Sequence, residues 1–261
     1  MSDDWDFWFC ELEEKSLFVF VDLGIHSEAP IETYAHLAFV RLQMHQPRSD
    51  GLPSKEEYPT LVQIEESLRA QVCADSLSLF IGIGSSQGRR IFYFYTREPA
   101  RFSSLVALAM KNFPDYRFRS EIKDDPFWQI YRSFLYPPPE ELERIGNRRV
   151  CDRLKENGDD LTTPRAIDHC AYFSDTIAMS EFVQYLRREG FKILSESLIS
   201  NGKLRVEFSR SDVPQQIDDV TLTLFREVSA MSGEYDGWGC VTCPKDVLEE
   251  QSGSQVNPPA G

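Results

Sequence analysis

The sequence predicts an α+β protein of two domains, each with an antiparallel sheet. Of the 261 residues, 41% are hydrophobic and 12% are aromatic, which is enough to form two cores and argues against disorder. Short β-prone runs with alternating polarity recur between segments of helical periodicity. A run of three prolines, 137–139, lies near the middle of the chain and favours an extended boundary segment.

The first half of the chain is predicted to hold six strands and two longer helices. The alternating or apolar runs place strands near 5–9, 17–21, 37–44, 77–81, 91–95 and 116–122, and helical spacing places helices near 60–72 and 102–113. A glycine-rich stretch, 82–88, could in principle cradle a phosphate. Its spacing does not fit the dinucleotide fingerprint and a strand follows it, so we predict the tip of a hairpin.

An aromatic segment closes this half, and we predict it to be a short helix over 125–137. Asp125 can cap such a helix, with Pro126 at its first position. Together with the opening strands and the order of elements, this ending resembles the domain of unknown function 695 over residues 1–137. That resemblance implies a fold, a related α+β sandwich, and no activity.

The second half is predicted to be one domain over 138–245, followed by a flexible tail over 246–261. A leading helix after the prolines ends at Gly158, and the remaining elements run β-α-β-β-α-β. We expect strands at 166–173, 191–199, 203–208 and 238–242, a helix capped by Ser180 and another starting at Pro214. Asn201-Gly202 predicts a hairpin between the middle strands. This is the ferredoxin-like arrangement, in which right-handed crossovers place both helices on one face.

Four local motifs stand out in the second domain. The leading helix ends in an acidic stretch at 155–160, and the first strand carries Ile167-Asp168-His169. The next helix closes on Gly190-Phe191, and the last runs into Glu234-Tyr235-Asp236-Gly237-Trp238-Gly239, which we interpret as a tight turn. In their order and spacing over residues 140–245, these motifs resemble the RraB family, the regulators of ribonuclease E.

This resemblance implies a non-enzymatic protein that binds the endoribonuclease away from its catalytic part and lowers RNA turnover. The candidate partner-binding residues are those of the matching motifs: Tyr235, Asp236, Trp238, Asp168 and His169. A tryptophan such as Trp238 is more often a core anchor than a binding residue, and no sequence feature places the carboxylates of Asp168 and Asp236 together. No catalytic residue, cofactor or metal site is predicted.

The charge of the chain sets the kind of partner that it can attract. The net charge is −14, divided into −6 over residues 1–139 and −8 over residues 140–261. A field of that sign repels phosphate backbones, so we expect no direct binding of nucleic acid and favour a basic protein segment. The alternative function is an acidic immunity-type protein that neutralises a basic toxin. The first domain would add a second contact or a homodimer face.

The six cysteines are expected to be free thiols in a cytoplasmic protein. The N-terminus, Met1-Ser2-Asp3-Asp4, is acidic and no apolar run is long enough for a membrane span. Cys240 and Cys243 form a C-x-x-C motif, which leaves open a redox or small-ligand enzyme. That motif continues a strand, which should turn the two thiols to opposite faces, and no second ligand pair for zinc is present.

Overall fold

The computed structural model describes residues 2–12, 15–199 and 202–244, in two units that meet between Pro137 and Pro138. Each unit is an antiparallel sheet with helices, so the α+β fold class is confirmed. The predicted tail, 246–261, lies outside the described residues. Within the described ranges no helix is both long and apolar enough to cross a membrane.

The first unit contains a six-stranded antiparallel sheet and two α-helices. The strands lie in the order β1-β2-β4-β5-β3-β6. They are β1 Trp5–Leu12, β2 Lys15–Asp22, β3 His36–Gln43, β4 Ser78–Ser86, β5 Arg89–Thr96 and β6 Phe118–Asp124. The helices are α1 Tyr58–Val72 and α2 Pro99–Ala109. Every strand predicted in this half is present, with ends that shift by a few residues.

The two helices cover one face of this sheet because both follow the predicted apolar periodicity. Leu61, Ile64 and Leu68 of α1 are fully buried against alternate residues of β3. In α2 the buried positions are Phe102, Val106 and Ala109. The helical spacing in the sequence also places Leu108 on this apolar face, but that prediction is wrong because Leu108 is 46% exposed.

The opposite face of the sheet is partly covered by the aromatic segment that follows β6. Asp125 accepts hydrogen bonds from the backbone amides of Gln129 and Ile130, but the prediction that a helix begins at Asp125 and Pro126 is wrong. The regular helix is restricted to a π-helical turn, Tyr131–Leu135, because Trp128 has a left-handed backbone with φ of 57°. The Trp128 ring stacks on Tyr95 at 3.9 Å, which fixes this segment to the sheet.

The predicted hairpin is present between β4 and β5, but most of the glycine-rich stretch belongs to β4 and the tip is shorter than predicted. Gly82 and Gly84 lie within β4, and the turn consists only of Gln87 and Gly88, both with positive φ. A Cβ atom on Gly82 would lie 2.7 Å from the backbone oxygen of Phe20 on β2. Glycine is therefore needed there for the close approach of two strands.

The second unit has the ferredoxin-like topology that the element order predicts. After a leading helix, α3 Pro139–Glu156, its elements alternate as β-α-β-β-α-β. They are β7 Arg165–Phe173, α4 Thr176–Arg188, β8 Lys192–Leu198, β9 Leu204–Asp212, α5 Ile217–Ala230 and β10 Glu234–Cys240. All strand pairs are antiparallel in the order β10-β7-β9-β8. Residues from α4 and α5 join one core with alternate residues of β7 and β9.

Two local expectations for this unit differ from the structure in detail, and a third is not tested. The cap of α4 is Asp175, whose carboxylate accepts from the amide of Ala178, and Ser180 lies inside the helix. Pro214 begins a single 3₁₀ turn, and α5 starts at Ile217. The predicted Asn201-Gly202 turn falls partly outside the described residues.

Candidate partner-binding site

The hexapeptide 234–239 forms strand β10, which corrects its interpretation as a tight turn. Tyr235 pairs with Ala171 of β7 and Trp238 pairs with His169, so two residues of β10 face one residue of β7. This is a β-bulge, and Gly237 with φ of 88° supplies the backbone conformation that it needs. The bulge places the Asp236 side chain, which is exposed, next to β7.

Two of the five predicted site residues are buried and cannot touch a partner directly. His169 is 2% exposed and Tyr235 is 7% exposed. The Nδ1 atom of His169 lies 2.8 Å from the Tyr235 hydroxyl, and its ring stacks on Phe208. Burial lowers the pKa of His169 to about 4, so the ring is neutral at physiological pH. This pair joins β7 to β10 and acts as a structural support.

Trp238 is half-buried and held by a polar group that the sequence did not single out. Its Nε1 donates to Oδ1 of Asn147 on α3 at 2.7 Å. The amide nitrogen of Asn147 donates to Asp218 and to Thr221, both on α5 and both at 2.7 Å. Asn147 is 4% exposed and therefore links α3, α5 and β10 inside the unit.

Asp168 and Asp236 line the same hollow on the open face of the sheet, which the sequence could not establish. The hollow has a volume of about 260 Å³ and is open to solvent. It extends over all four strands, because it also contains Glu207 of β9 and Leu194 of β8. Leu194 lies at a second register shift, in β8, and is 47% exposed. Three carboxylates thus surround one accessible apolar side chain.

Arg205 contributes a cation beside these groups. This residue of β9 contacts Glu207 at 2.6 Å, and its Nε donates to the Cys170 sulphur at 3.3 Å. Glu207 also accepts from the hydroxyl of Ser195. The carboxylates of Asp168 and Asp236 have no such cation in the described structure, so the hollow is net negative. The arrangement can attract a basic group.

The C-x-x-C residues are free thiols with separate contacts. Cys240 ends β10, and its sulphur accepts from Nε of Arg165 at 3.3 Å. The backbone amide of Cys243 donates to Asp159. Among the residues with described positions, no three histidine, cysteine, aspartate or glutamate side chains cluster as a metal site would require.

Sequence reasoning missed Leu194, Glu207 and Asn147. Leu194 and Glu207 lie on strands that the alternation correctly predicted, but their common face becomes visible only with the strand order. Asn147 could have been noticed as a polar residue in the leading helix beside the apolar Ile145. Its partners, however, are 71 and 91 residues away in the chain.

The fold and the open acidic face define a class: a two-unit α+β protein whose second unit is ferredoxin-like. The chain belongs to the family of unknown function DUF695, whose model matches residues 3–136. A second model, described as regulator of ribonuclease activity B, matches residues 144–240. Both matches agree with the resemblances drawn from the sequence motifs.

Comparison with individual proteins adds less. No curated protein matches this sequence. One solved structure is described as "Crystal structure of putative glycine cleavage system transcriptional repressor". It is 10% identical, and the match covers 80% of this chain and 98% of that chain with a TM-score of 0.25. A similarity of that size supports no argument about function.

Proposed function

We propose that this protein is a non-enzymatic regulator that binds an endoribonuclease of the ribonuclease E type and slows RNA turnover. The match of the second unit to the regulator of ribonuclease activity B model supports the class of partner. The observation that carries the proposal is the open hollow with Asp168, Glu207 and Asp236 around Leu194. A basic partner segment would place cationic groups on the carboxylates and an apolar side chain on Leu194.

The buried residues of the motif would serve this face indirectly. The His169–Tyr235 contact and the Trp238–Asn147 hydrogen bond fix β10, which carries Asp236. Of the five predicted partner-binding residues, Asp168 and Asp236 would therefore contact the partner, while Tyr235 and His169 would hold the strand. Trp238 would also hold the strand, since it pairs with the core-facing His169 and its indole bonds to Asn147 on the helix-covered side of the sheet. The first unit would add a second contact or a homodimer face.

The proposal predicts that charge-neutralising substitutions in the hollow weaken capture of the ribonuclease. Immobilised full-length protein should retain ribonuclease E from lysate at low salt and slow its cleavage of a structured RNA. The double variant Asp168→Asn/Asp236→Asn should lower the affinity at least tenfold, because both carboxylates would face cationic groups. Binding should also weaken as salt is raised, since exposed charges are screened.

The matched control is Asp152→Asn/Glu181→Gln, which removes the same charge from exposed helix positions outside the hollow and outside the matching motifs. It should bind like the unsubstituted protein. Equal losses in both double variants would mean that overall charge and not this face governs binding. Failure to retain a ribonuclease at low salt, with a small basic toxin captured instead, would replace the proposal with the immunity-type function.

A further inference from the structure

A second surface, on the first unit, has the opposite charge. Arg41 of β3, Arg89 of β5 and Arg117 and Arg119 beside and within β6 line one hollow of about 260 Å³ together with Gln43. We call these four side chains the arginine face. They lie on the sheet face opposite α1 and α2, because the neighbouring residues of β3, Val40 and Leu42, are buried beneath those helices.

The register of the sheet brings these cations unusually close. Arg41 and Arg119 are directly opposite each other on β3 and β6, and Gln43 pairs with Arg89 on the other side. The amide of Gln43 donates to the carbonyl of Arg117, which brings the fourth arginine to the same end of the sheet. Like charges at directly opposed positions destabilise a sheet. An anion between them would remove that repulsion.

The protein itself supplies little compensating charge. Glu121 contacts Arg41 at 3.5 Å, with both side chains partly exposed. For Arg89, Arg117 and Arg119, no carboxylate of the described residues lies within ion-pair distance. The same unit carries 20 acidic and 14 basic side chains, so a cluster of uncompensated arginines is not a consequence of composition.

An apolar hollow of about 310 Å³ adjoins the arginine face and shares Arg41 and Arg89 with it. Its wall is formed by Ile91, Tyr93 and Phe134, and Gly84 leaves room at its base. A Cβ atom at Gly84 would lie 3.4 Å from the Tyr93 ring. Together the two hollows are in the size range of small-ligand sites, with an aromatic compartment and a cationic one.

We propose that this surface binds a nucleoside phosphate, with its phosphate on the arginine face and its base beside Tyr93 and Phe134. Guanidinium groups bind phosphate oxygens in a bidentate manner, and aromatic side chains stack on planar bases. The net charge of −14 disfavours a long nucleic-acid backbone, whereas a compact anion meets only the local positive field. This site is independent of the proposed ribonuclease contact.

Calorimetric titration of the full-length protein tests the proposal with four probes: adenosine 5′-monophosphate, inorganic phosphate, adenosine and a single-stranded oligoribonucleotide. The nucleotide should bind at least tenfold more tightly than phosphate or adenosine alone. Arg89→Gln/Arg119→Gln should weaken nucleotide binding at least tenfold. Arg101→Gln, an exposed arginine on α2, should leave it unchanged.

A second measurement locates the ligand without any substitution. The methyl resonances of Ile91 and Leu17, which both line the apolar hollow, should shift on addition of the nucleotide. The proposal is overturned if the nucleotide does not bind, or if phosphate alone binds as tightly. Binding of the oligoribonucleotide without the mononucleotide would also overturn it, as would unshifted Ile91 and Leu17 methyl groups.

Discussion

His169 is a titratable side chain that the fold keeps neutral inside the second unit. Its ring lies between Phe208 and Phe191, its Nδ1 contacts the Tyr235 hydroxyl, and its Nε2 has no partner among the described residues. Burial is the largest cause of its lowered pKa, the charge of Arg210 acts in the same direction, and the charges of Asp212 and Asp168 oppose it. A proton on this ring would be a buried charge, which the surroundings do not compensate.

We predict that His169 makes the second unit less stable as the pH falls from about 6.5 to about 4. The folded-state pKa of about 4 lies below the ordinary value of 6.5, so the unfolded chain binds the proton first. The stability contribution is fully present above pH 6.5, and the loss on acidification amounts to about 3 kcal/mol. Urea unfolding across this pH range, followed at the indole resonance of Trp238, measures it.

The variant His169→Phe isolates this effect because it keeps an aromatic ring without a titrating group. At pH 8 it should be less stable by about 1–3 kcal/mol, since the Tyr235 hydroxyl loses its partner. That deficit should shrink towards pH 4. Burial raises the pKa of Glu143 to about 6, so the contribution of Glu143 to stability has the opposite pH dependence. That contribution is the same in the variant and in the unsubstituted protein, so it cancels when the two are compared. A loss of stability in His169→Phe that does not change with pH would contradict the prediction. The control is His36→Gln, in the first unit.

At the scale of elements, α3 packs on the ferredoxin-like unit through the buried side chains Ile145 and Leu154 and through polar contacts. Asn147 hydrogen bonds to α5 and β10, and Arg226 of α5 forms two hydrogen bonds with Glu140 at the start of α3. The Glu140–Arg226 pair is exposed, so it contributes little to stability. The buried amide of Asn147 is therefore the polar contact whose loss should cost the most.

We predict that Asn147→Ala lowers the free energy of unfolding of the second unit by roughly 2–3 kcal/mol. The substitution leaves the Trp238 Nε1 and the Thr221 hydroxyl without their partner. A double-mutant cycle with Trp238→Phe should give a coupling energy of about 1 kcal/mol by urea unfolding. If the stability losses of the two single variants simply add in the double variant, the hydrogen bond between these residues does not contribute to stability. Asn157→Ala, at the exposed end of α3, should cost less than about 0.5 kcal/mol.

Two glycines in β4 provide a matched pair in the first unit. At Gly82 a Cβ atom would lie 2.7 Å from the Phe20 carbonyl oxygen, whereas at Gly84 the nearest atom, in the Tyr93 ring, is 3.4 Å away. We predict that Gly82→Ala destabilises the unit by about 2–4 kcal/mol, because β2 and β4 must separate, while Gly84→Ala changes stability by about 1 kcal/mol or less. Thermal unfolding measures both, and equal effects would contradict the close approach.

These contacts also explain what the sequence could and could not predict. Periodicity correctly predicted the strands and helices, since burial of one face imposes a period that is visible locally. It wrongly predicted that Leu108 is buried and that the whole glycine-rich stretch forms the hairpin tip. Helix packing and strand length depend on residues that are distant in the sequence. The shared hollow of Asp168 and Asp236 requires the β10 bulge and the strand order, and neither has a local signal beyond Gly237.

Across the whole molecule, the acidic composition is not expressed evenly on the two sheets. The open face of the second unit carries the carboxylates of Asp168, Glu207 and Asp236, while the first unit carries the arginine face. Both units have negative net charge in total, so these faces differ because of strand register and not composition. Two faces of opposite sign favour two different ligands, a basic protein segment and a small anion.

We predict that the two units fold independently of each other. Each has its own buried core, one centred on β3, β5, α1 and α2 and the other on β7, β9, α4 and α5. Segments of this length commonly fold alone. Separate chains of residues 1–137 and 138–261 should therefore each unfold cooperatively by circular dichroism in urea.

If each also keeps its ligand, nucleotide for the first and ribonuclease for the second, the functions are separable. An unfolded 138–261 fragment would contradict this, and loss of ribonuclease capture by a folded one would indicate that the first unit adds a contact.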